Sequence, residues 1–395
     1  MRRSRVIILA FTALLHAPDA LGQGATAIRG DGTIVEVRES ELAELGERSW
    51  PDWKGMWVGP SVPQAQVTGS AMCMQDGQVL VGGFEPNGAE LWWRNAKIGA
   101  FRVDLERIHR IGPLVVESAP SANRDEVHFL NGDRAQGFIQ SIDATHGVRL
   151  APITDAGAPA TSVVDHDLER VVAVWLATRP EPATGWRFWL RDGSVIDADH
   201  WTREGEGIVL ESCHLAGSPP RVPVDWSQVI AIRSAPAAIL PLAAQAWRSS
   251  DVPQTPRLSP ARCRVESGSH PLDLSPIDFH GPGTFETTVP AGEWTLSALL
   301  CVPPGLSGKV TCTAIVLDGD SEVLRFPIHA SAESMPLHAV IRSGRLVIRI
   351  EESGRGAFGA ALRMVRPFRI PITRGSLEPT PQHSSGTVNP DPQDR

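Results

Sequence analysis

The chain has 395 residues and a formal charge of −8, with 42% hydrophobic and 21% charged residues. This composition excludes a wholly disordered chain. No apolar run reaches the roughly 18 residues that a membrane-spanning helix needs, which excludes a multi-span membrane protein. An acidic chain is also poorly suited to nucleic acid, because neutralising phosphates requires a basic face. The 36 glycines and 33 prolines favour many short strands joined by turns over long helices.

Residues 1–22 have the three parts of a secretory signal peptide. Met1–Arg5 is basic, residues 6–17 are mostly apolar, and small residues occupy Ala20 and Gly22. The apolar stretch is too short to span a bilayer. We therefore expect export to the periplasm, the cell surface or the medium, with no membrane span left after cleavage.

The chain has five cysteines, an odd number that leaves at least one thiol unpaired. Residues 294–302 and 309–317 read as two strands of a hairpin, in which Cys301 would lie opposite Cys312. Opposed side chains in antiparallel strands come close enough for a disulfide. Two buried thiols are the alternative. Metal-ligand spacing is absent from the sequence, so we expect no metal centre of the zinc type.

A pattern of about 60 residues occurs three times in the middle of the chain. It begins with the turn dipeptides Asp76-Gly77, Asn131-Gly132 and Asp192-Gly193, each flanked by strand-like residues. A small residue follows five positions after each turn glycine, and the pattern ends in three similar segments, at 105–111, 168–174 and 226–232. A small residue permits a sharp bend in a strand. The pattern predicts three tandem small barrels with short, strongly curved strands.

The middle copy is similar to the strand pair of Sm-type proteins over residues 127–133 and 137–143. This resemblance implies an SH3-like or Sm-like barrel shape. Tryptophans lie in these copies, among them the adjacent pair Trp92 and Trp93. Packing within and between the barrels is one role for them, and stacking against sugar rings is the other.

The last third of the chain predicts a β-sandwich. Seven alternating or apolar segments are separated by turns every 8–12 residues; they cover residues 283–289, 294–302, 310–317, 323–328, 337–341, 346–350 and 361–368. A segment rich in alanine and proline precedes the sandwich, and residues 373–395 carry no periodic apolar pattern and predict a disordered tail.

This block resembles the NPCBM-type carbohydrate-binding modules in residues 283–289, in residues 310–317 followed by Asp318-Gly319-Asp320, and in residues 343–352. The resemblance implies a galactose-binding-like jelly roll that binds glycan. Trp294 is then the candidate for stacking on a sugar. Asp318 and Asp320 are candidate ligand contacts, with a structural Ca²⁺ or an ordinary hairpin turn as their alternatives. The polar segment of the family's last strand is replaced by residues 356–362, which favours a structural role.

The sequence lacks the G-x-S-x-G, H-E-x-x-H and P-loop motifs. We therefore expect an exported, non-enzymatic binding protein without a cofactor, whose partner is a carbohydrate or a cell-surface protein. A purely structural or assembly protein with a degenerate sugar site is one alternative, and a secreted glycoside hydrolase with unrecognised carboxylates is the other. The expected organisation is a signal peptide (1–22), an N-terminal segment (23–65), three small β repeats (66–115, 116–180 and 181–236), a linker (237–262), a galactose-binding-like sandwich (263–372) and a tail (373–395).

Overall fold

The computed structural model describes the greater part of the chain. The described residues are 25–37, 53–58, 69–87, 90–113, 124–143, 145–153, 162–213, 215, 221–234, 239–251, 261–265, 272–306, 310–329, 334–352 and 360–372. The predicted signal peptide, the predicted tail and residues 356–359 lie outside them.

The regular structure of the described residues consists of 29 strands and three short 3₁₀ turns. The all-β fold class is therefore confirmed. All strand pairings are antiparallel, as expected for a chain with many short connections. None of the described residues forms a helix long and apolar enough to cross a membrane.

The three predicted copies have the same strand order and the same pairing. In each, the first strand pairs with the second and the fifth, and the second, third and fourth strands pair in sequence. A 3₁₀ turn precedes the fifth strand. Repeat 1 comprises β4 (Ser70–Met74), β5 (Val79–Asn87), β6 (Glu90–Asn95), β7 (Gly99–Arg102), the turn Leu105–Arg107 and β8 (Ile108–Pro113). Repeat 2 comprises β9 (Asp125–Phe129), β10 (Arg134–Asp143), β11 (Gly147–Pro152), β12 (Val164–His166), the turn Leu168–Arg170 and β13 (Val171–Trp175). Repeat 3 comprises β14 (Trp186–Leu190), β15 (Val195–Glu204), β16 (Gly207–Cys213), β17 (Arg221–Asp225), the turn Trp226–Gln228 and β18 (Val229–Ser234).

The second strand of each repeat bends where the sequence places a small residue. In repeat 2, residues up to Gly137 pair with β9, and residues from Gly137 onward pair with β11. A Cβ atom on Gly137 would lie 2.3 Å from the carbonyl oxygen of Ala151. The glycine is therefore required by the close approach of a neighbouring strand.

The N-terminal segment contains a fourth, partial copy that the sequence analysis did not identify. It consists of β1 (Ala25–Arg29), β2 (Ile34–Val37) and β3 (Trp53–Val58). β1 pairs with β2 and with β3, as the first strand of a repeat pairs with its second and fifth strands. The missed signal is Asp31-Gly32, a turn dipeptide of the same kind as the other three.

The four hairpin turns share one hydrogen-bonding pattern. The side chain of the residue before each glycine accepts a hydrogen bond from the backbone N–H of the residue after the glycine. Asp31, for example, accepts such a bond from Thr33 at 2.9 Å. The φ angle of the four turn glycines is +88° at Gly32, +82° at Gly77, +86° at Gly132 and +89° at Gly193. Only glycine adopts this left-handed conformation without strain, which explains the recurring dipeptide.

The fifth strands join the copies in pairs. β8 of repeat 1 pairs with β13 of repeat 2, and β18 of repeat 3 pairs with β3 of the partial repeat. The opposed residues at the centres of these contacts are Ile111 with Val174, and Ile232 with Met56. These four residues hold the same place in their own copies, so each contact has a local twofold axis. One apolar core runs through all four copies, which lets units too small to be stable alone share buried surface.

The C-terminal block is a sandwich of two sheets, as predicted. One sheet has the order β21-β22-β29-β24-β27 with β19 beside β29, and the other has the order β20-β23-β28-β25-β26. A single apolar cluster lies between the sheets. The strands are β19 (Leu240–Pro241), β20 (Trp247–Asp251), β21 (Arg262–Val265), β22 (Ile277–His280), β23 (Gly283–Thr288), β24 (Trp294–Cys301), β25 (Thr311–Asp318), β26 (Ser321–His329), β27 (Met335–Ile341), β28 (Arg345–Glu352) and β29 (Ala361–Pro371).

The predicted hairpin of Cys301 with Cys312 is wrong. β24 and β25 lie in different sheets, and all five cysteines are free thiols. Cys301 pairs with Arg363 of β29, whereas Cys312 lies between Ile328 and Glu352. Both strands are strongly apolar and each is central in its own sheet, where two neighbouring strands cover its backbone. The chain therefore crosses from one sheet to the other between these two strands, and each contributes an apolar face to the core between the sheets.

The segment predicted as a linker contributes to the folded structure. β19 pairs with β29 in one sheet, and β20 pairs with β23 in the other. Ile239 is fully buried in a small cluster that also contains Trp57 of the partial repeat and Phe368 of the sandwich. The described part of this segment, residues 239–251, therefore forms two edge strands and part of the junction between the repeats and the sandwich.

Candidate functional site

Most tryptophans of the described chain are used in packing. Six of them have an arginine guanidinium carbon 4.9–5.4 Å from the ring centroid, a distance at which a cation is attracted to the ring face. They are Trp53, Trp57, Trp175, Trp189, Trp226 and Trp294. The high tryptophan and arginine content of the sequence therefore has a structural use.

Trp294 is half-buried at the start of β24 and covers a buried arginine. The guanidinium carbon of Arg369 lies 4.9 Å from its ring centroid, and its indole N–H donates to the carbonyl oxygen of Pro290 at 3.0 Å. Arg369 is only 1% exposed, and within the described part of the chain its Nε and Nη1 atoms have no hydrogen-bond partner. Burial lowers the pKa of Arg369 to about 10. The Trp294 ring thus stabilises a cation inside the sandwich.

Asp318 and Asp320 stand on either side of the turn between β25 and β26, but they do different things. The two carboxylate oxygens of Asp318 accept hydrogen bonds from the backbone N–H groups of Arg342 and Ser343 at 2.8 and 2.7 Å. The side chain of Asp320 is 97% exposed and forms an ion pair with Arg345 at 3.2 Å. No group of three metal-ligating side chains occurs among the described residues. Asp318 therefore ties the β25–β26 hairpin to the connection between β27 and β28, which crosses from one sheet to the other.

Trp92 and Trp93 point to opposite faces of β6, because successive side chains alternate along a strand. Trp93 is fully buried, and its ring meets that of Phe84 edge-on with centroids 5.4 Å apart. The structure places no hydrogen-bond acceptor from the described residues at its indole N–H. Trp92 is half-buried on the outer face. Of the two, only Trp92 is placed where a ligand can reach its ring.

Charged residues surround Trp92 on this outer face. Glu85 of β5 and Arg102 of β7 are its directly opposed neighbours across the two strand pairs. Arg94 contacts Glu85 at 2.5 Å, and Arg102 contacts Glu90 at 3.3 Å. The Trp92 indole N–H donates to Glu90 at 3.2 Å. We call this set of five residues (Glu85, Glu90, Trp92, Arg94 and Arg102) the Trp92 face.

The Trp92 face combines an aromatic ring with donors and acceptors in fixed positions. The side chains of Arg94 and Arg102 are 61% and 64% exposed, whereas that of Glu85 is 28% exposed. Oε2 of Glu85 is buried and has no hydrogen-bond partner among the described residues. Guanidinium and carboxylate groups beside an aromatic ring are suited to a ligand with several hydroxyl groups and an apolar face.

The sequence identified Trp92 but not the four charged residues around it. One signal was present: Glu90, Trp92 and Arg94 alternate along the strand, so they share a face. Glu85 and Arg102 join this face only through strand pairing, which depends on the register of β5, β6 and β7. Trp294, Asp318 and Asp320 lie in the sandwich and are not part of this site.

Three solved structures illustrate what the chain is similar to. A CBM51 module with GlcNAc and INT domains from Clostridium perfringens ZmpB aligns at 7% identity and TM-score 0.29, over 42% of this chain and 37% of that one. The CBM22-1 and GH10 modules of a Clostridium thermocellum xylanase, complexed with xylohexaose, align at 9% identity and TM-score 0.23, over 36% and 30%. TmCBM61 with β-1,4-galactotriose aligns at 16% identity and TM-score 0.20, over 32% and 88%.

The chain spans less than half the length of two ZmpB structures that contain the CBM51-2 and INT domains. It covers 37% of the structure with GlcNAc and 44% of a second structure of the same domains. No family model matches the sequence. No curated protein matches it either.

Proposed function

We propose that the chain is a non-catalytic, carbohydrate-binding protein that contacts glycan through the Trp92 face. The observation that carries this proposal is a half-buried tryptophan held between two arginine–glutamate pairs on the outer surface of repeat 1. The sandwich is the second candidate for contact with glycan or with a cell-surface protein.

The chemistry of the Trp92 face matches that of a sugar. The apolar C–H face of a pyranose stacks on an indole ring, whereas its hydroxyl groups both donate and accept hydrogen bonds. Arg94 and Arg102 supply donors, and Glu85 and Glu90 supply acceptors.

Export is part of this proposal. A basic segment, an apolar stretch and small residues at the cleavage position characterise residues 1–22. Delivery to the periplasm, the cell surface or the medium places the protein where polysaccharides and surface proteins occur.

Affinity electrophoresis through gels that contain single soluble polysaccharides tests the binding. The chain should be retarded by at least one polysaccharide, and Trp92→Ala should lower that affinity about tenfold, equivalent to about 1.4 kcal/mol. Trp226→Ala is the matched control, because Trp226 is also half-buried but is covered by Arg203. Thermal unfolding of each variant shows whether the fold is retained.

Equal retardation of both variants and the parent chain would remove the Trp92 face from the proposal. In that case Trp294→Ala, measured in the same gels, reports on the sandwich.

A structural or assembly role is the second proposed function. It is favoured by the engagement of Trp294 with Arg369 and of Asp318 with the backbone of residues 342–343. A folded chain that no polysaccharide retards, and that is recovered in complex with another surface protein, supports this second role.

A further inference from the structure

Repeats 1 and 3 contact each other through the same edge of their hairpins. Val79, two residues after the turn glycine of repeat 1, pairs with Val195, two residues after the turn glycine of repeat 3. The Val81 N–H donates to Ser194 Oγ at 3.2 Å, and the Asp197 N–H donates to Gln78 Oε1 at 2.8 Å. Each bond is the counterpart of the other, so this contact has a local twofold axis.

The equivalent hairpin of the partial repeat is also covered. Its turn lies against the sandwich, where the Ser297 hydroxyl donates to the Gly32 carbonyl oxygen at 2.8 Å. Ile28 and Ile34 on either side of the turn belong to the apolar junction with the sandwich. Three of the four hairpins therefore have a neighbouring unit on them.

The hairpin of repeat 2 is the exception. At residues 134–136, β10 pairs with β9 along one edge, and no strand of the described residues pairs with the other edge there. Asp133, Arg134 and Gln136 hold the places of Gln78, Val79 and Val81 in repeat 1. An exposed strand edge presents unpaired backbone groups to another strand.

Exposed apolar side chains are concentrated on the same repeat. Six large apolar residues of the described chain are exposed, and four of them belong to repeat 2: Leu130 (72%), Val164 (43%), Phe138 (38%) and Val172 (36%). Leu130 lies in the hairpin turn itself, two residues before Gly132. Leu130 therefore adds an exposed apolar side chain at the tip of the uncovered hairpin.

We propose that the occupant is a second copy of this chain, docked hairpin to hairpin about a true twofold axis as repeats 1 and 3 are docked about a local one. An isologous contact needs one self-complementary patch. The acceptor at Asp133 and the backbone donor at Gln136 are complementary across such an axis, whereas Arg134 would face a like charge. A carboxylate oxygen of Asp133 accepts the Gln136 N–H of the second copy, and the reverse bond forms across the axis. Arg134 takes the place that Val79 and Val195 hold in the internal contact, and it faces Arg134 of the second copy at the axis.

The charge at the axis sets the strength of the dimer. Like charges directly opposed across strands are destabilising. The negative charge nearest to Arg134 in the same chain is the Glu126 carboxylate at 3.4 Å, and this carboxylate is shared with His128 at 2.6 Å. The dimer is therefore weaker than the internal contact and depends on protein concentration.

Sedimentation velocity of the purified chain over a wide concentration range tests this proposal. The dimer fraction should rise with concentration. Arg134→Val restores the residue type of the internal contact and should tighten dimerisation about tenfold, since it removes the opposed charges. Asp133→Lys replaces the acceptor with a donor and should abolish the dimer.

Asp320→Lys is the matched control, because Asp320 is also an exposed acidic residue of a hairpin turn; it should leave the dimer unchanged. A parent chain that stays monomeric over the whole concentration range would overturn the proposal, whether or not Arg134→Val dimerises. So would a dimer that neither Arg134→Val nor Asp133→Lys changes, since it would use another surface.

Discussion

The ion pair of Arg187 with Asp197 is expected to be a major source of stability at the contact of repeats 1 and 3. Asp197 is fully buried, and the Arg187 side chain is 13% exposed. Two parallel hydrogen bonds of 2.7 Å connect the guanidinium to the carboxylate. Arg187 also donates to the carbonyl oxygen of Asp76 in repeat 1 at 2.6 Å. Asp197→Asn keeps the shape of the side chain and removes its charge.

The expected cost follows from these contacts. Each hydrogen bond between charged groups contributes about 1.5–3 kcal/mol, and breaking a buried ion pair from one side costs about 3–5 kcal/mol. A second cation lies close by: burial lowers the pKa of Arg233, and neighbouring Arg187 lowers it further. Asp197→Asn therefore leaves two adjacent buried guanidinium groups without this carboxylate, and we expect the free energy of unfolding to fall by about 3–5 kcal/mol.

Urea unfolding followed by tryptophan fluorescence measures this change. The control is Glu322→Gln, which breaks the ion pair of Glu322 with Arg325, two side chains that are 45% and 47% exposed. Exposed pairs contribute about 0–1 kcal/mol. A double variant, Arg187→Met with Asp197→Leu, should recover part of the loss because no unpaired charge remains. A loss below about 1 kcal/mol for Asp197→Asn would refute the reasoning.

Three further predictions concern the turns, the sandwich and the thiols. Gly147 and Gly132 both have positive φ, but a Cβ at Gly147 would lie 2.0 Å from a backbone carbonyl oxygen, whereas no atom of the described residues lies within 4 Å of a Cβ at Gly132. Gly147→Ala should therefore prevent folding. Gly132→Ala should lower the free energy of unfolding by only about 1–2 kcal/mol, as thermal unfolding will show. Burial raises the pKa of Asp318, but the bonds from Ser343 and Arg342 outweigh it and lower the pKa overall. The stability that Asp318 contributes is therefore present above its unfolded pKa and is lost as the pH falls through its lower folded pKa, so the difference between the parent chain and Asp318→Asn should shrink in acid unfolding titrations. Burial raises the pKa of Cys213 to about 12 and of Cys312 to about 11, so both should resist alkylation at pH 8 in the native chain and react after unfolding, as mass spectrometry of peptides will show.

Local patterns in the sequence were sufficient for the strands and for the repeats. The dipeptide of a polar residue and glycine predicts a hairpin because it satisfies the backbone of the turn by itself, as at Asp76-Gly77. The small residue five positions later marks the bend, and the aspartate at 104, 167 or 225 caps the 3₁₀ turn. The partial repeat was missed because residues 38–52 do not continue the pattern that follows the other three turns.

Neighbours across the sheets depended on tertiary structure. Cys301 and Cys312 are equally distant from a turn in the sequence, yet they belong to different sheets, because β24 pairs with β27 and β29 whereas β25 pairs with β26 and β28. The partners β27, β28 and β29 come from distant parts of the sequence, which the spacing from one turn does not reveal. The same holds for the Trp92 face: the alternation along β6 separates Trp92 from buried Trp93, but the register of three strands brings Glu85 and Arg102 to it. Side-chain alternation is a property of one strand and can be read from its residues. Strand register and the pairing of whole repeats minimise the exposed backbone and apolar surface of the entire chain, so they emerge only when all the strands are assembled.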